Sequence, residues 1–308
     1  MAAGRVLVLG ATGFAGRHFL EAAAAAGLQG VGAARGGTAG VACDLLEPES
    51  IRGALDEVRP DAVVNLAGAA SVGRSWEEPD ETFAVNATGV ANLLEGVSER
   101  APDAQVLCVS SGEVYGAPDD AELPLREQAQ LRPINPYAVS KAEMERICVG
   151  YADTVREICV MRAFNHLGPG QSDSFAASSF ARQIAEAEAA GGARVALRVG
   201  DLSPERDFGD VRDVVRAYVL AVERRLSGTY NVCTGRAVPI RALVDGLAAH
   251  ARVEVDVEVN DSLLRPEEAP RVVGSFDRMH EATGWEPQTS LDRTLGDLLE
   301  WWRGRVNE

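Results

Sequence analysis

The stretch RVLVLGATGFAGRHFLEAAAAAG, residues 5–27, limits the fold more than any other part of the chain. An apolar run of strand length enters Gly10, Gly13 and Gly16 follow at a spacing of three, and an Ala-rich helical segment ends at Gly27. A buried strand, a glycine turn and a helix in that order open a parallel βαβ unit. Glycines at those positions tighten the turn and let a pyrophosphate approach the backbone at a helix N-terminus. Gly10, Thr12, Gly13, Phe14 and Gly16 are therefore the expected dinucleotide-binding turn.

The same rhythm continues downstream. DAVVNLAG, AQVLCVSS and ICVMRAFN are apolar runs of strand length, while ETFAVNATGVANLLEGVSE and residues 136–152 have helical periodicity. The alternation predicts an α/β fold, a doubly wound parallel sheet of Rossmann type. After Asn165 the pattern turns irregular, which predicts a smaller α/β substrate-binding lobe. The expected division assigns 1–165, with returning segments in about 207–250, to the dinucleotide domain, and 166–206 with about 251–308 to the lobe.

Composition narrows the partners. A net charge of −16 argues against nucleic acid and requires an anionic ligand to be met by local arginines. No apolar run reaches the length of a membrane span, and no leader-like segment precedes the first strand, so a soluble, cytoplasmic protein is expected. Cys43, Cys108, Cys148, Cys159 and Cys233 show neither disulfide-framework nor zinc-ligand spacing, and no metal is expected.

The second strand ends at AARGG, where Arg35 replaces the acidic residue that usually meets the ribose hydroxyls of NAD. An arginine there pairs with a 2′-phosphate, so NADPH is the expected cofactor and NADH the alternative; a solvated surface Arg35 is the plainer reading. Asp44 and Leu45 stand where adenine contacts fall, or form a turn. Leu66, Ala67 and Gly68 of NLAG, and Ser111 of SSGEVYG, belong at the carboxyl edge of the sheet, where ligands bind. In NPYAVSK, Asn135 caps a helix, Pro136 starts it, and Tyr137 and Lys141 lie one turn apart on one face. An ammonium so placed favours the phenolate, and Ser111 completes a set able to hold and protonate a substrate oxygen.

GATGFAG, NLAG, VNATGVANLLE, SSGEVYG, PYAVSK and RAFNHLGPGQ occur in the order found in extended short-chain dehydrogenases/reductases, and the chain resembles that family along nearly its whole length. SSFARQIAEAEAAGG, VGDLSPERDFGDVRDVVRAY, YNVCTG and LLRPEEAPRVVGSFDRMHEATGWEP resemble the GDP-mannose branch, and within it the GDP-4-keto-6-deoxy-D-mannose reductases that form GDP-D-rhamnose. The resemblance implies a GDP-linked deoxyhexose substrate. It places Asn165 near the substrate phosphates, Arg206 and Arg265 on the diphosphate or ribose, and Ser71, Arg74, Ser111 and Glu113 around the sugar. It has Lys141 hold the nicotinamide ribose and lower the Tyr137 pKa. Surface pairing with Asp207 and Asp210, or with Glu267 and Glu268, is the plainer reading of the two late arginines. A homodimer through helices around 86–100 and 136–152 is also implied. The rivals are a GDP-mannose 4,6-dehydratase, a sugar-nucleotide 4-epimerase and a non-enzymatic nucleotide sensor. Gly112 departs from the dehydratase pattern, which puts an acid or a hydroxyl between the positions of Ser111 and Glu113.

Overall fold

The computed structural model describes residues 4–260, 263 and 269–306. The first half runs β1 (Arg5–Leu9), α1 (Phe14–Ala25), β2 (Gln29–Ala34), β3 (Val41–Ala42), α2 (Pro48–Val58), β4 (Ala62–Asn65), α3 (Val72–Glu77), α4 (Pro79–Phe83), α5 (Gly89–Arg100), β5 (Gln105–Ser111), α6 (Pro136–Gly150) and β6 (Glu157–Ala163). The second half runs β7 (Asn165–Leu167), α7 (Ala176–Ala189), β8 (Arg194–Val199), β9 (Glu205–Asp210), α8 (Val211–Glu223), β10 (Gly228–Val232), β11 (Ala237–Pro239), α9 (Arg241–His250), β12 (Glu254–Val259), β13 (Arg271–Val272), α10 (Asp277–Thr283) and α11 (Leu291–Arg305).

Seven strands form a sheet in the order β10-β6-β5-β4-β1-β2-β3, every pair parallel. The alternation along β1 explains the two helical layers. Val6 and Val8 pack with Phe19 and Ala23 of α1 and with Val214, Val215 and Tyr218 of α8. Leu7 and Leu9 face Ile51 and Leu55 of α2, Leu93 and Leu94 of α5, and Met144 of α6. Both faces of the sheet are thus covered, as parallel strands require. The carboxyl ends of β1, β4 and β5 line one edge, since Leu9 is in register with Asn65, and Asn65 with Cys108.

A second lobe is centred on β9, which pairs with β7, β11 and β13, while β8 and β12 form a parallel pair. Its core joins α7, α9 and α11 over Leu197 and Val199. The division of the chain differs from the expected one in two places. β9 straddles the boundary expected near 206–207 and α9 lies within the span expected to return to the large domain, yet both build the lobe, α9 because Leu243, Val244 and Leu247 meet α11. Near the C-terminus, Met279 of α10 and Trp285 pack into the core under the large sheet with α8.

Helical periodicity predicts an unbroken helix from residue 81 to 99, but Ala84–Thr88 form a π-helical turn between α4 and α5. The buried Asn86 carboxamide at its centre bonds both the N–H and the carbonyl of Ala69, and donates to Ser140 Oγ. Wider turns of this kind recur at functional sites. All five cysteines are free and buried. Among the described residues, no helix is long and apolar enough to cross a membrane.

Candidate active site

Three elements converge at the carboxyl edge of the sheet. The first is the turn between β1 and α1. Gly10 has φ +75°, and a Cβ there would stand 2.6 Å from the Ala67 nitrogen, so only glycine lets this turn nest against the end of β4. A Cβ on Gly16 would lie 2.2 Å from the Gly10 carbonyl oxygen, which fixes the close approach of helix to turn. Gly13 is the N-cap of α1 and offers no side-chain cap, and the first turn carries no acid. Orphan N–H groups and the positive end of the helix dipole therefore face the space above the turn. Thr12 is exposed there. Phe14 stacks on His166 at 6.0 Å, tying α1 to the strand that enters the lobe.

The second element is the end of β2. Arg35 follows it, exposed and without an ion pair among the described residues. Asp44 forms a turn instead of projecting freely, its Oδ1 accepting the Leu46 N–H at 3.0 Å. Leu45, expected beside an adenine, is a core residue packed with α5, only 5 % exposed. Its carbonyl accepts from Asn92.

The third element is β5 with α6. Asn135 caps α6 through its Oδ1, which accepts the Ala138 N–H at 2.7 Å, and Pro136 occupies the first turn. Tyr137 and Lys141 are buried on the helix face toward β5. The Ser111 side chain lies near enough to the Tyr137 hydroxyl to lower its pKa, and Ser111 Oγ accepts the Glu113 N–H at 3.2 Å. Lys141 Nζ donates to the Val109 carbonyl at 2.8 Å and lies 5.9 Å from the Tyr137 ring centre. A Cβ on Gly68 would come within 3.5 Å of Nζ, so the NLAG strand end closes over the ammonium.

The ionisation of the pair differs from the expected one. Burial pushes the Tyr137 phenol up to about 12, with Ser111 opposing and Glu113 adding to the rise. Burial also pulls Lys141 down to about 8. Desolvation of each group outweighs any help the ammonium gives the phenolate. The phenol is thus a fully protonated donor at neutral pH.

Around this centre the expected substrate residues separate. Glu113 is half-buried and accepts from Asn135 Nδ2 at 3.2 Å. Asn165 is exposed at the start of β7, in register with Phe208 on β9. On β9 itself Arg206 is buried and donates to the Glu205 carbonyl. Asp207 and Asp210 hold other partners, Asp207 gripping the N–H groups of Thr234 and Gly235 and Asp210 bonding Arg212. Ser71 caps α3 by accepting the Arg74 N–H, and the Arg74 guanidinium pairs with Glu78 at 2.6 Å and Glu81 at 3.5 Å. The i,i+4 spacing of Arg74 and Glu78 already signals this pairing. Arg265 lies outside the described residues.

Two buried residues that brace this centre are not singled out by the sequence reading. Asn86 props Ala69 and Ser140, the neighbours of Gly68 and Lys141. Ser75, fully buried, accepts the Tyr137 N–H at 3.2 Å and so holds the start of α6. The motif VNATG marks Asn86; nothing local marks Ser75.

The glycine turn, the uncapped helix and Arg35, which has no ion pair among the described residues, fit a dinucleotide carrying an extra phosphate. A family model described as GDP-mannose 4,6 dehydratase matches residues 33–298. The chain is 41 % identical to the GDP-6-deoxy-D-mannose reductase of Pseudomonas aeruginosa, over 86 % of this chain and 87 % of that one. It is 28 % identical to GDP-mannose 4,6 dehydratase 2 of Arabidopsis thaliana, over 83 % of this chain and 69 % of that one. The structure of RMD from Pseudomonas aeruginosa complexed with NADPH superposes with a TM-score of 0.87 at 38 % identity, covering 98 % of this chain and 100 % of that one.

Proposed function

Since the chain belongs to the GDP-mannose 4,6 dehydratase family of extended short-chain dehydrogenases/reductases, we propose that it reduces the C4 ketone of GDP-4-keto-6-deoxy-D-mannose to GDP-D-rhamnose with NADPH. The observation that carries this reading is the buried Ser111–Tyr137–Lys141 set beside a side-chain-free Gly112. A bound nicotinamide dinucleotide supplies the hydride. Ser111 holds the substrate oxygen in line with Tyr137, and the phenol, kept protonated by burial, gives its proton to the alkoxide. An alkoxide is more basic than a phenolate with this pKa, so that transfer runs downhill. Lys141, anchored on the Val109 carbonyl, presents its remaining donors beside the ring of Tyr137.

The test is purified enzyme with freshly made ketone and either NADPH or NADH, the product identified by NMR. Stoichiometric oxidation of the cofactor and a product reduced at C4, with the manno configuration at that carbon, are expected. Turnover of the ketone without net cofactor consumption would mark an epimerase.

NADPH preference is expected to rest on Arg35. No Asp or Glu occurs from Gln29 to Cys43, so nothing there offers a carboxylate to ribose hydroxyls. Loss of one charge-assisted phosphate contact is worth about tenfold or more in affinity. The kcat/KM ratio of NADPH to NADH should favour NADPH in the wild type and fall by that factor in Arg35→Ala. An unchanged ratio would refute this role.

A homodimer is part of the same proposal. Trp76, Phe83, Ile134 and Val139 are exposed around a shallow apolar groove formed by α3, α4 and α6. α5, the other helix expected at the interface, exposes Glu95, Glu99 and Arg100. The groove is continuous with the outer side of α6, so a second copy is its occupant. Light scattering should give twice the chain mass for the wild type and a single chain mass for Phe83→Glu. A dimer unaffected by that charge would place the interface elsewhere.

A further inference from the structure

One turn beyond Lys141 on α6, Glu145 is buried with no part in the chemistry above. Arg162 on β6 grips both of its carboxylate oxygens, with contacts of 2.6, 2.9 and 3.2 Å. Ser110, the neighbour of Ser111 on β5, donates its hydroxyl to Glu145 Oε1 at 2.5 Å. The remaining face of the guanidinium is also used. Arg162 Nη1 donates to the Tyr115 hydroxyl and to the Glu127 carbonyl, each at 2.9 Å. Tyr115 in turn donates to Asn231 Oδ1 on β10 at 2.7 Å. One satisfied cluster thus bonds α6 to β5, β6 and β10.

Burying two charges is costly, and well-packed apolar side chains of similar volume often stabilise as well or better. What apolar packing lacks is direction. A helix held on a sheet by methyl contacts slides and rotates by fractions of an ångström. Four directional bonds to one carboxylate on α6 resist both motions. The helix so held carries Tyr137 and Lys141, and the strand so held ends in Ser111. Misplacement of reacting groups by about 1 Å costs on the order of 10²-fold in rate.

We infer that Glu145 is a positioning residue, which through Arg162 and Ser110 sets the register of α6 on β5 and so the reach of Tyr137 to Ser111. The inference rests on those three residues being the reacting set. Glu145 touches none of the reacting atoms. Its effect should therefore fall on kcat, not on ligand affinity.

The test replaces the pair by apolar isosteres, Glu145→Met with Arg162→Met, which leaves no uncompensated charge. Ser110→Ala, which removes a single bond, serves beside it. Thermal midpoint, NADPH affinity by fluorescence, substrate KM and kcat are measured for each. A folded double variant with a near-wild-type midpoint and NADPH affinity should lose about tenfold or more in kcat. Ser110→Ala should lose kcat several-fold, with KM unchanged. A double variant that folds and turns over like the wild type overturns the inference. If the double variant does not fold, an unchanged kcat in Ser110→Ala overturns it. A wild type that does not oxidise NADPH with the ketone would overturn the reductase reading itself, a separate result.

Discussion

Replacing Tyr137 by phenylalanine should lower kcat by roughly 10²–10⁴-fold, the usual loss for a positioned acid. The ring stays buried in the same place, because the Ser75 contact is to the Tyr137 backbone N–H and the capping bond at Asn135 is untouched. What disappears is the hydroxyl that faces Ser111. No buried charge is lost, since burial keeps the phenol neutral up to about pH 12. Stability and NADPH affinity should therefore remain near those of the wild type. The measurement is steady-state reduction under saturating ketone, with NADPH binding followed separately. A variant retaining more than about half the activity would remove Tyr137 from the role of acid.

Dehydration of GDP-mannose with catalytic NADP⁺ should run at least about 10²-fold more slowly than reduction. Losing hydroxide from C6 needs an acid, and the position between Ser111 and Glu113 is glycine. The structure shows why a side chain is missing there. A Cβ on Gly112 would stand 3.0–3.2 Å from ring atoms of Phe164, so that ring occupies the place a donor would take. Phe164 is itself held, since a Cβ on Gly274 would come within 2.5 Å of its ring. Glu113 remains available as a base for C5, with Asn135 as its partner, but a base alone does not expel hydroxide. The experiment follows release of the 4-keto-6-deoxy product from GDP-mannose over many turnovers. Steady release at a rate comparable to ketone reduction would overturn the reductase assignment.

The sequence by itself determined the features whose causes lie within a few residues. The glycine turn is legible because a strand, Gly10, Gly13, Gly16 and a helix are contiguous. The pairing of Tyr137 with Lys141 follows from the pitch of one helix, and the covered sheet from alternating apolar strands. Arg35 stands out because its neighbours lack acids. The tertiary structure alone decided what depends on elements far apart in the chain. Asn86 acts through Ala69 and Ser140, 17 and 54 residues away, and Glu145 through Arg162 and Ser110, 17 and 35 away. Leu45, read as an adenine contact, became core because α5 packs over it. The direction of the Tyr137 shift, upward instead of downward, has the same kind of cause. Spacing brings an ammonium one turn from a phenol, but desolvation sums over every strand and helix that closes around them, and that sum is larger.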